Sequence, residues 1–500
     1  MKFPDVPTFR AFQAPGRFEA DIRDITVIQG EVPQDLNGGY YRVGPDPFFP
    51  PLSGNDIPLN GDGMVTRFRF DAGRVDFRCR YVRTPKFVVE REAGRALFGA
   101  YRNPFTDDPL ACGVSRGTAN TNVIWHSGRM FALKEDSHPV EINPVTLETL
   151  GSWDYAGSLT SLTATAHPKV DPSTGTLVFF GYAARGETTP DIAYYEADVN
   201  GSIVHESWLR APYSGMVHDF AVTTNHIVFP VVPLISDLQR LKDGLPHFAW
   251  DPSLPMYLGV LPRRDPDATV RWFQGSARFA SHTMNAFEEN GRIYVDMSVG
   301  DSVVFPFFPE INGKPFDPEA ATPYVSRWTL DLNAPTDDFR LTRLSDVPGE
   351  FPRIDERFAM SDYRFGYASM QGLSVDAKTP GSASGMRFNL IGRVDHRTGE
   401  TTHHDVGQNS ATQEAVFVPR TGSVDEGDGY LMALVNRYDE MRSDLLILDA
   451  ADVSGEPVAT LALPLRLRNG LHGTWVDAEQ LRRYEPTRDP ITFGDEMPSW

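Results

Sequence analysis

The sequence predicts an all-β fold, a seven-bladed β-propeller, on three observations. Short runs that alternate apolar and polar residues dominate the chain, 42 glycines and 40 prolines make turns frequent, and no helical crossovers separate the strand-like segments. Such hairpin-rich chains favour antiparallel sheets, and radial repetition protects edges that one open sheet would expose. At ~50–60 residues per elaborated blade, a chain of 500 residues gives about seven blades.

Five turn signals, each between two strand-like segments, predict β-hairpins. They lie at 71–73, 171–175, 198–201, 289–291 and 395–399. Helical patterning is confined to short pieces such as 234–242, which we expect in loops that form a cap over the propeller axis. No linker or low-complexity tract interrupts the chain, so residues 1–500 are expected to form one domain.

Composition and charge exclude several classes of partner. With 67 acidic and 47 basic side chains the net charge is −20, which argues against nucleic acid or an anionic membrane surface as partner. The longest apolar runs, 176–184 and 227–235, fall short of the ~20 residues of a membrane helix. The start lacks a secretory signal, and the only two cysteines cannot form a disulfide framework. A cytoplasmic protein without stable membrane insertion is therefore expected.

Four of the 12 histidines share an unusual setting. His167, His218 and His282 each open a strand-like segment that is followed by a turn four to seven residues later. Equivalent positions in different blades converge on the propeller axis, and three imidazoles there suit a bound metal. His472 adds a fourth near the closing end of the ring. Spacing alone leaves open the alternative of four core histidines, each bonded to a backbone carbonyl.

Two other catalytic templates are weaker. His403 and Asp405, with the later His472, match the loose pattern of a facial-triad iron site, but the segment 397–410 is almost wholly polar and is typical of a solvated hairpin. The segment 113–117 matches Gly-x-Ser-x-Gly. That nucleophile motif needs a helix after it, whereas 120–125 is strand-like.

Together with further segments, these histidine motifs resemble the carotenoid cleavage oxygenases, a family of iron-dependent dioxygenases on seven-bladed propellers. The family-like region runs from about residue 30 to about residue 480. Eight segments match family signatures in order: 37–45, 62–65, 166–169, 216–220, 282–286, 350–355, 414–420 and 471–475. The departures are small, since Thr283 stands where a second histidine is frequent and Ala415 where a proline is frequent.

The resemblance implies an Fe(II) centre. Its four neutral ligands would be His167, His218, His282 and His472. Neutral imidazoles leave the metal its full charge, with two positions open for O₂ and solvent. The resemblance also implies carboxylates that accept Nδ1–H bonds from three of these rings, expected to be His218, His282 and His472. Those carboxylates are Glu135, Glu350 and Glu414. Thr121 and Phe307 are expected in the substrate or O₂ pocket.

The family divides into enzymes for long carotenoids and enzymes for phenolic stilbenes or phenylpropenes. Lys134 immediately precedes Glu135 and should therefore point toward the cavity. A polyene offers a lysine no partner, whereas a 4-hydroxyphenyl group does. Lys134 and Tyr101 resemble the phenol-binding pair of the lignostilbene dioxygenases. The charged segment 234–246 is no obvious membrane dock.

The sequence therefore predicts an enzyme that cleaves the interphenyl C=C bond of a 4-hydroxystilbene of the lignostilbene or resveratrol type. Its partners would be the phenolic alkene and O₂, and two aromatic aldehydes would leave. Cleavage of apocarotenoids, or of phenylpropenes such as isoeugenol, stays open at the same iron site. A non-catalytic propeller that binds proteins is the alternative from another class. Ring substituents, the origin of both oxygen atoms and the oligomeric state stay open.

Overall fold

A computed structural model describes residues 2–54, 56–265, 267–372 and 387–491. Within these residues β-strands dominate, which confirms the predicted all-β class. The α-helices are α1 (Pro85–Ala93), α2 (Leu238–Lys242) and α3 (Ala478–Arg482). Single 3-10 turns lie at Pro7–Phe9, Ala11–Gln13, Pro58–Asn60, Pro104–Thr106, Pro109–Ala111 and Glu356–Phe358. Over the described ranges, no helix has both the length and the apolar character that a bilayer crossing requires.

The strands follow one another at short intervals along the chain. Those of the first half are β1 (Ala20–Ile22), β2 (Thr26–Gly30), β3 (Gly38–Pro45), β4 (Gly63–Asp71), β5 (Arg74–Tyr81), β6 (Asn122–His126), β7 (Arg129–Leu133), β8 (Val140–Ile142), β9 (Thr149–Ser152), β10 (Lys169–Val170), β11 (Leu177–Tyr182), β12 (Asp191–Ala197), β13 (Ile203–Arg210), β14 (Ala221–Val222), β15 (His226–Val231), β16 (Leu234–Ser236) and β17 (Phe248–Trp250). Those of the second half are β18 (Met256–Pro262), β19 (Arg271–Gly275), β20 (Phe279–Glu289), β21 (Arg292–Gly300), β22 (Tyr324–Asp331), β23 (Arg340–Ile354), β24 (Phe365–Met370), β25 (Leu390–Asp395), β26 (Thr401–Asp405), β27 (Ser410–Thr412), β28 (Val416–Pro419), β29 (Gly429–Arg437), β30 (Arg442–Asp449), β31 (Ala459–Ala462) and β32 (Gly473–Asp477).

The strands pair into antiparallel sheets and one small ribbon, β16-β17. In hydrogen-bonded order the sheets are β1-β5-β4-β3-β32, β6-β7-β8-β9, β10-β11-β12-β13, β14-β15-β18-β19, β20 through β26 in sequence, and β2-β31-β30-β29-β27 with β28 also on β29. The long strand β23 pairs with β22 through 340–348 and with β24 through 349–354. The seven-stranded sheet is therefore two four-stranded units that share β23.

The two ends of the described chain are held in common sheets. Strand β32 pairs with β3, with Gly38 opposite Asp477. Strand β2 pairs with β31, with Gly30 opposite Ala459. Strands β2 and β3 are thus hydrogen-bonded to strands from the last fifty residues of the described chain.

All five predicted hairpins are confirmed. They join β4 to β5, β10 to β11, β12 to β13, β20 to β21 and β25 to β26. The first turns through Ala72 and Gly73, whose φ angles of 48° and 79° are both left-handed. A two-residue turn with both φ values positive matches the right-handed twist of its strands, and glycine reaches it without steric cost.

Core side chains pack between neighbouring sheets. Phe180 of β11 meets Phe229 of β15 edge to face, with ring centroids 5.4 Å apart. These rings belong to the largest apolar cluster, which continues through Val295 of β21 to Trp328 of β22. Burial of such rings is the main stabilising term at each sheet-to-sheet contact.

The helical expectations need correction. Only part of 234–242 is helical, because Leu234 begins β16 and pairs with Trp250, and α2 starts after its cap Asp237. The longest helix, α1, was not predicted, although its local signals are present. Thr84 accepts a bond from the Phe87 N–H at the start, and Gly94 ends the helix with a φ of 66°. These are ordinary start and stop signals of a helix.

Helix α1 carries a buried ion cluster. Lys86 Nζ lies 2.8 Å from Asp62 Oδ1 and 2.7 Å from Glu90 Oε2. Burial would lower the pKa of Lys86, but the two carboxylates raise it, so the ammonium stays charged. A buried charge pair contributes little net stability, yet loss of one partner leaves the others uncompensated.

Lys86→Met should therefore lower the free energy of unfolding by about 3–5 kcal/mol, because two buried carboxylates would lose their cation. Urea denaturation followed by tryptophan fluorescence measures the change. The exposed Lys242→Met on α2 is the matched control, and its effect should stay within about 0.5 kcal/mol. Equal stability of Lys86→Met and wild type would show that the cluster is not needed.

Candidate metal centre and adjoining cavity

Histidines from separate sheets converge on one point. His167 precedes β10, His218 precedes β14, His282 lies within β20 and His472 precedes β32. Their ligand nitrogens all lie within 4.8 Å of one another. His218 Nε2 is 3.1 Å from His167 Nε2 and 3.2 Å from His282 Nε2. The four residues of the sequence hypothesis are thus brought together.

Three of these rings are held by carboxylates through Nδ1. The pairs are His218 with Glu135 (2.6 Å), His282 with Glu350 (2.6 Å) and His472 with Glu414 (2.8 Å). A ring that donates through Nδ1 keeps its lone pair on Nε2. The carboxylates therefore aim three unprotonated nitrogens at the common point.

This donor set fits a metal cation. The Nε2 atoms of His218 and His282 each carry a lone pair, so at 3.2 Å they repel one another and cannot share a hydrogen bond. Two imidazole ligands at ~2.1 Å from a metal and at right angles would lie ~3.0 Å apart, close to the observed separations. Neutral imidazoles bind iron, zinc, copper and nickel alike, so the donors select a transition metal but not which one.

Burial keeps two of the rings neutral. It lowers the pKa of His472 to about 4 and holds the pKa of His167 well below its usual range. The carboxylates stay ionised. Burial opposes this, but the His218 ring bonded to Glu135, together with Arg102 and Lys134, lowers the pKa of Glu135 to about 2, and Arg353 does the same for Glu414. At neutral pH His167 and His472 therefore present neutral nitrogens, and the carboxylates are anionic acceptors. For His282 burial lowers the pKa, but the Glu350 carboxylate outweighs this and raises it.

Glu135 is fixed by a ring of donors. Tyr182 Oη donates to its Oε1 at 2.8 Å, Tyr101 Oη donates to the same atom at 3.3 Å, and the Arg102 guanidinium lies 3.6 Å away. These contacts offset the cost of burying the carboxylate. They also tie Tyr101, one of the predicted phenol-binding residues, to the carboxylate that orients His218.

Glu350 stands at an irregularity in β23. The register shifts between Glu350 and Arg353, and Phe351 has a φ of 53°, a left-handed value that costs a bulky residue energy. The Phe351 ring consequently stacks on His282, with centroids 5.3 Å apart, and contacts His472 at the same distance. Its role was missed, because no sequence pattern signals a strained phenylalanine.

A second missed residue is Asp219, which joins three of the histidine segments. Its Oδ1 pairs with Lys169 Nζ at 2.7 Å, and its Oδ2 accepts the Thr283 N–H at 2.8 Å. Asp219 follows His218, Thr283 follows His282, and Lys169 lies two residues after His167. Its place inside a matched motif was the available signal.

A cavity that reaches the cluster is lined by most of the predicted pocket residues. Tyr101, Thr121 and Lys134 line it together with His218, His282 and His472. Thr121 lies against the metal site, because its carbonyl accepts the His472 N–H at 3.2 Å. Phe307 is not among the residues that line this cavity. Its ring stacks on Phe305 at 5.3 Å, and Phe305 takes the position in the cavity wall.

Lys134 is an unusual lining residue because it is buried away from solvent. Only 4% of it is exposed, and its Nζ donates to Leu59 O at 2.9 Å and to Asn120 Oδ1 at 3.4 Å. Nζ also lies 5.0 Å from the centre of the Tyr101 ring. Burial lowers the pKa of Lys134, although nearby carboxylates oppose this.

The two weaker templates are not assembled. His403 is exposed on β26, at the opposite edge of the seven-stranded sheet from β20, which carries His282. The segment 113–117 leads through a loop into β6, not into a helix. Neither arrangement meets the structural requirement of its motif.

Comparisons with known proteins point to one family. A family model described as "retinal pigment epithelial membrane protein" matches residues 13–477. The chain is 46% identical to lignostilbene-alpha,beta-dioxygenase isozyme III of Sphingomonas paucimobilis, over 96% of this chain and 99% of that protein. It is 45% identical to isoeugenol monooxygenase of Pseudomonas nitroreducens, over 92% and 96%. The crystal structure of Pseudomonas brassicacearum lignostilbene dioxygenase matches with a TM-score of 0.92 and 42% identity, over 96% and 100%.

Replacing any one of the four converged histidines by alanine should lower metal affinity by more than about 100-fold, because even loss of an outer partner costs about 10–100-fold. Elemental analysis after dialysis against a chelator measures metal per chain. His403→Ala, at the exposed surface, should keep wild-type metal content. Full metal retention in His472→Ala would contradict the four-nitrogen site.

Glu350→Gln should weaken metal binding by about 10–100-fold while the fold survives. Glu350 accepts bonds from the Ser281 hydroxyl, the His282 ring and the Phe351 N–H. A glutamine amide is neutral, so its oxygen is a weaker acceptor for the His282 Nδ1–H than the Glu350 carboxylate is. Metal titration with a competing chelator tests this, with the exposed Glu289→Gln on β20 as control. An unchanged affinity would show that Glu350 does not act on the site.

Proposed function

Since its family model matches residues 13–477 and close relatives cover nearly the whole chain, this protein belongs to the carotenoid cleavage oxygenase family, and we propose that it cleaves the interphenyl C=C bond of 4-hydroxystilbenes with O₂. Both bonds of the alkene break, each carbon gains one oxygen atom, and two aromatic aldehydes leave. The observation that carries the proposal is the buried Lys134 beside Tyr101 in the cavity at the histidine cluster.

We assign Fe(II) to the four imidazoles. Bound iron would supply the activation of O₂ for addition to the alkene. The part of the chain's own residues is to hold the site: Glu135, Glu350 and Glu414 keep the Nδ1 protons in place. Because all four ligands would be neutral, none of the metal's charge would be cancelled by the protein.

Lys134 has the bonding capacity that a phenol requires. As an ammonium it has three N–H groups, of which Leu59 O and Asn120 Oδ1 take two. The third is then free to donate to a phenolate oxygen. As a neutral amine it has two N–H groups for the same acceptors, and its lone pair is free to take the phenol proton. Both states place one shared proton between Nζ and the 4-oxygen.

The hydrogen bonds of the Asn120 amide determine which of its atoms faces Lys134. Its Nδ2 donates to Leu59 O at 2.9 Å and to Gly61 O at 2.6 Å. Its Oδ1 must therefore face Lys134. Among the described residues the ammonium thus meets neutral acceptors and no carboxylate within ion-pair distance, which leaves its charge for the substrate. Burial lowers the pKa of Lys134, which eases proton exchange with a phenol near neutral pH.

Tyr101 supplies the second hydrogen bond to the same oxygen. Burial and the neighbouring Glu135 raise its pKa well above the usual value, so its hydroxyl stays protonated and donates. Its bond to Glu135 is long, at 3.3 Å, and the hydroxyl can turn to a phenolate. A free phenol has a pKa of ~10, so the pair is needed to hold the phenolate at neutral pH. A para phenolate pushes electron density onto the alkene and favours its oxidation.

We further propose that the sheets form a seven-bladed propeller in one domain. The two units that share β23 raise the number of four-stranded or larger units to seven. Pairing of β3 with β32 would close the ring. In this arrangement the histidine segments lie at the axis, where separate blades meet.

Phenylpropene cleavage is the second candidate. The isoeugenol monooxygenase relative is 45% identical, and a 4-hydroxyphenyl group common to both substrate classes would use the same Lys134 and Tyr101. Apocarotenoids are disfavoured, because a polyene offers no acceptor for the third N–H group of the Lys134 ammonium. Side-by-side product analysis with a 4-hydroxystilbene, isoeugenol and an apocarotenoid separates the three.

Lys134→Met should lower kcat/KM for a 4-hydroxystilbene by about 10²–10⁴-fold, the range of a lost acid–base group. Its metal content should stay at the wild-type level. Tyr101→Phe should lose less, because Lys134 still holds the 4-oxygen. Lys314→Met, largely exposed, is the control. Aldehyde formation is followed by chromatography. A fully active Lys134→Met variant would contradict the proposal.

Two further results should follow from the shared proton. The 4-O-methyl ether and unsubstituted stilbene should be poor substrates, since neither has a proton to give. For the wild type, kcat/KM should rise with pH as the free enzyme loses the Lys134 proton, at a pH below the usual lysine range. This rise of kcat/KM with pH should be absent in Lys134→Met. Efficient cleavage of the methyl ether would contradict the mechanism.

A further inference from the structure

A second polar side chain lies in the cavity wall in a position that mirrors Lys134. Gln413 lines the cavity and immediately precedes Glu414, as Lys134 precedes Glu135. Each carboxylate bonds one histidine, Glu414 to His472 and Glu135 to His218. In both pairs the glutamate bonds a histidine and the residue before it lines the cavity.

The orientation of the Gln413 amide is fixed by its neighbours. Its Oε1 accepts from an Arg42 guanidinium N–H at 2.5 Å and from the Gly470 N–H at 2.7 Å. Both partners are donors, so this atom must be the oxygen and the remaining atom the NH₂ group. Arg42 is itself buried, with 2% exposed, which holds the amide in place.

The NH₂ group is left without an acceptor. Gln413 is 5% exposed, and over the described residues its Nε2 is buried and has no hydrogen-bond partner. A buried unpaired donor costs about 1–3 kcal/mol. Other polar side chains at this part of the cavity are satisfied: the Thr412 hydroxyl donates to Gln413 O, and Asn469 Oδ1 accepts from Asn436. Gln413 Nε2 is thus a donor for which the protein supplies no acceptor there.

Aromatic walls accompany this donor. The rings of Phe351 and Phe388 also line the cavity, 5.8 Å apart and at 73° to one another. Phe351 contacts His282 and His472, so these walls begin at the metal site. An aryl ring that extends from the alkene would pack against these two rings, with its substituents toward Gln413.

We propose that Gln413 Nε2 donates a hydrogen bond to an oxygen substituent on the second ring of the stilbene. This inference rests on the proposed function. Gln413 is then a specificity-determining residue, and the substrate class is stilbenes that carry oxygen on both rings: a 4-hydroxyl at Lys134 and a methoxyl or hydroxyl oxygen at Gln413. Isoeugenol, whose alkene ends in a methyl group, and the apolar end of an apocarotenoid would leave the donor unpaired. A site built for a hydrogen bond discriminates against ligands that lack the partner.

A panel of 4-hydroxystilbenes tests the inference, with hydrogen, methoxyl or hydroxyl at the 3′ or 4′ position of the second ring. In the wild type, the best methoxyl and hydroxyl compounds should exceed the unsubstituted one by about tenfold in kcat/KM, the effect of one hydrogen bond. The difference should fall mainly in KM, because the bond exists before and during reaction. Equal kcat/KM across the panel would overturn the proposal by itself.

Gln413→Glu is the sharpest variant, because it keeps an oxygen for Arg42 and Gly470 and replaces the NH₂ donor by an acceptor. The ratio of methoxyl to unsubstituted compound should fall about tenfold, whereas hydroxyl compounds, which can donate, should keep their advantage. Gln413→Met should lose the advantage of both. The exposed Gln408→Met, a matched change outside the cavity, should leave the ratios as in the wild type. Unchanged ratios in Gln413→Glu would overturn the proposal.

Binding measurements separate this inference from the proposed function. Dihydro analogues, in which a single bond replaces the alkene, bind without reaction, and calorimetry gives their dissociation constants for each variant. The same methoxyl preference should appear there and vanish in Gln413→Glu. Metal content and thermal unfolding confirm that each variant is folded. Failure of the iron-loaded wild type to cleave any 4-hydroxystilbene would refute the proposed function, whereas cleavage with no second-ring preference would refute the inference alone.

Discussion

Four imidazole nitrogens that face one point are the constraint on which the rest of the structure depends. With Nε2 atoms 3.1 and 3.2 Å apart, they repel one another, and no local segment would hold them there. Separate sheets hold them instead, each with its own hydrogen-bonded strands. Neighbouring apolar cores fix the sheets, so the energy of the whole fold keeps the four nitrogens in place.

The carboxylates transmit this constraint outward. Each buried Glu needs donors beyond its histidine, and these recruit further elements: Tyr182 and Arg102 for Glu135, and Arg353 for Glu414. The strained backbone at Phe351 follows from the same requirement, because the Glu350 carboxylate must reach His282 while the Phe351 ring stacks on that histidine. A buried anion without such partners would be too costly to keep ionised.

The carboxylates that orient the histidines also help to shape the substrate cavity. Lys134 and Gln413 are the chain neighbours of two of these carboxylates, so whatever fixes the histidines also fixes the polar groups at the cavity wall. Between them the wall is largely apolar, with Val304, Phe305 and Phe351. An apolar cavity with few placed polar groups binds an aromatic ligand in one orientation, because each unpaired polar group costs free energy.

The sequence by itself determined the hairpins, since turns such as Ala72-Gly73 are encoded by adjacent residues. It also indicated the four histidines and their carboxylates, through short motifs matched in order along the chain. Tertiary structure decided the rest: that Phe305 lies in the cavity wall with the Phe307 ring stacked on it, that Phe351 is strained, and that Gln413 keeps an unpaired donor. Those properties depend on contacts between residues far apart in the chain, such as Arg42 with Gln413, and no local pattern encodes the packing that sets them.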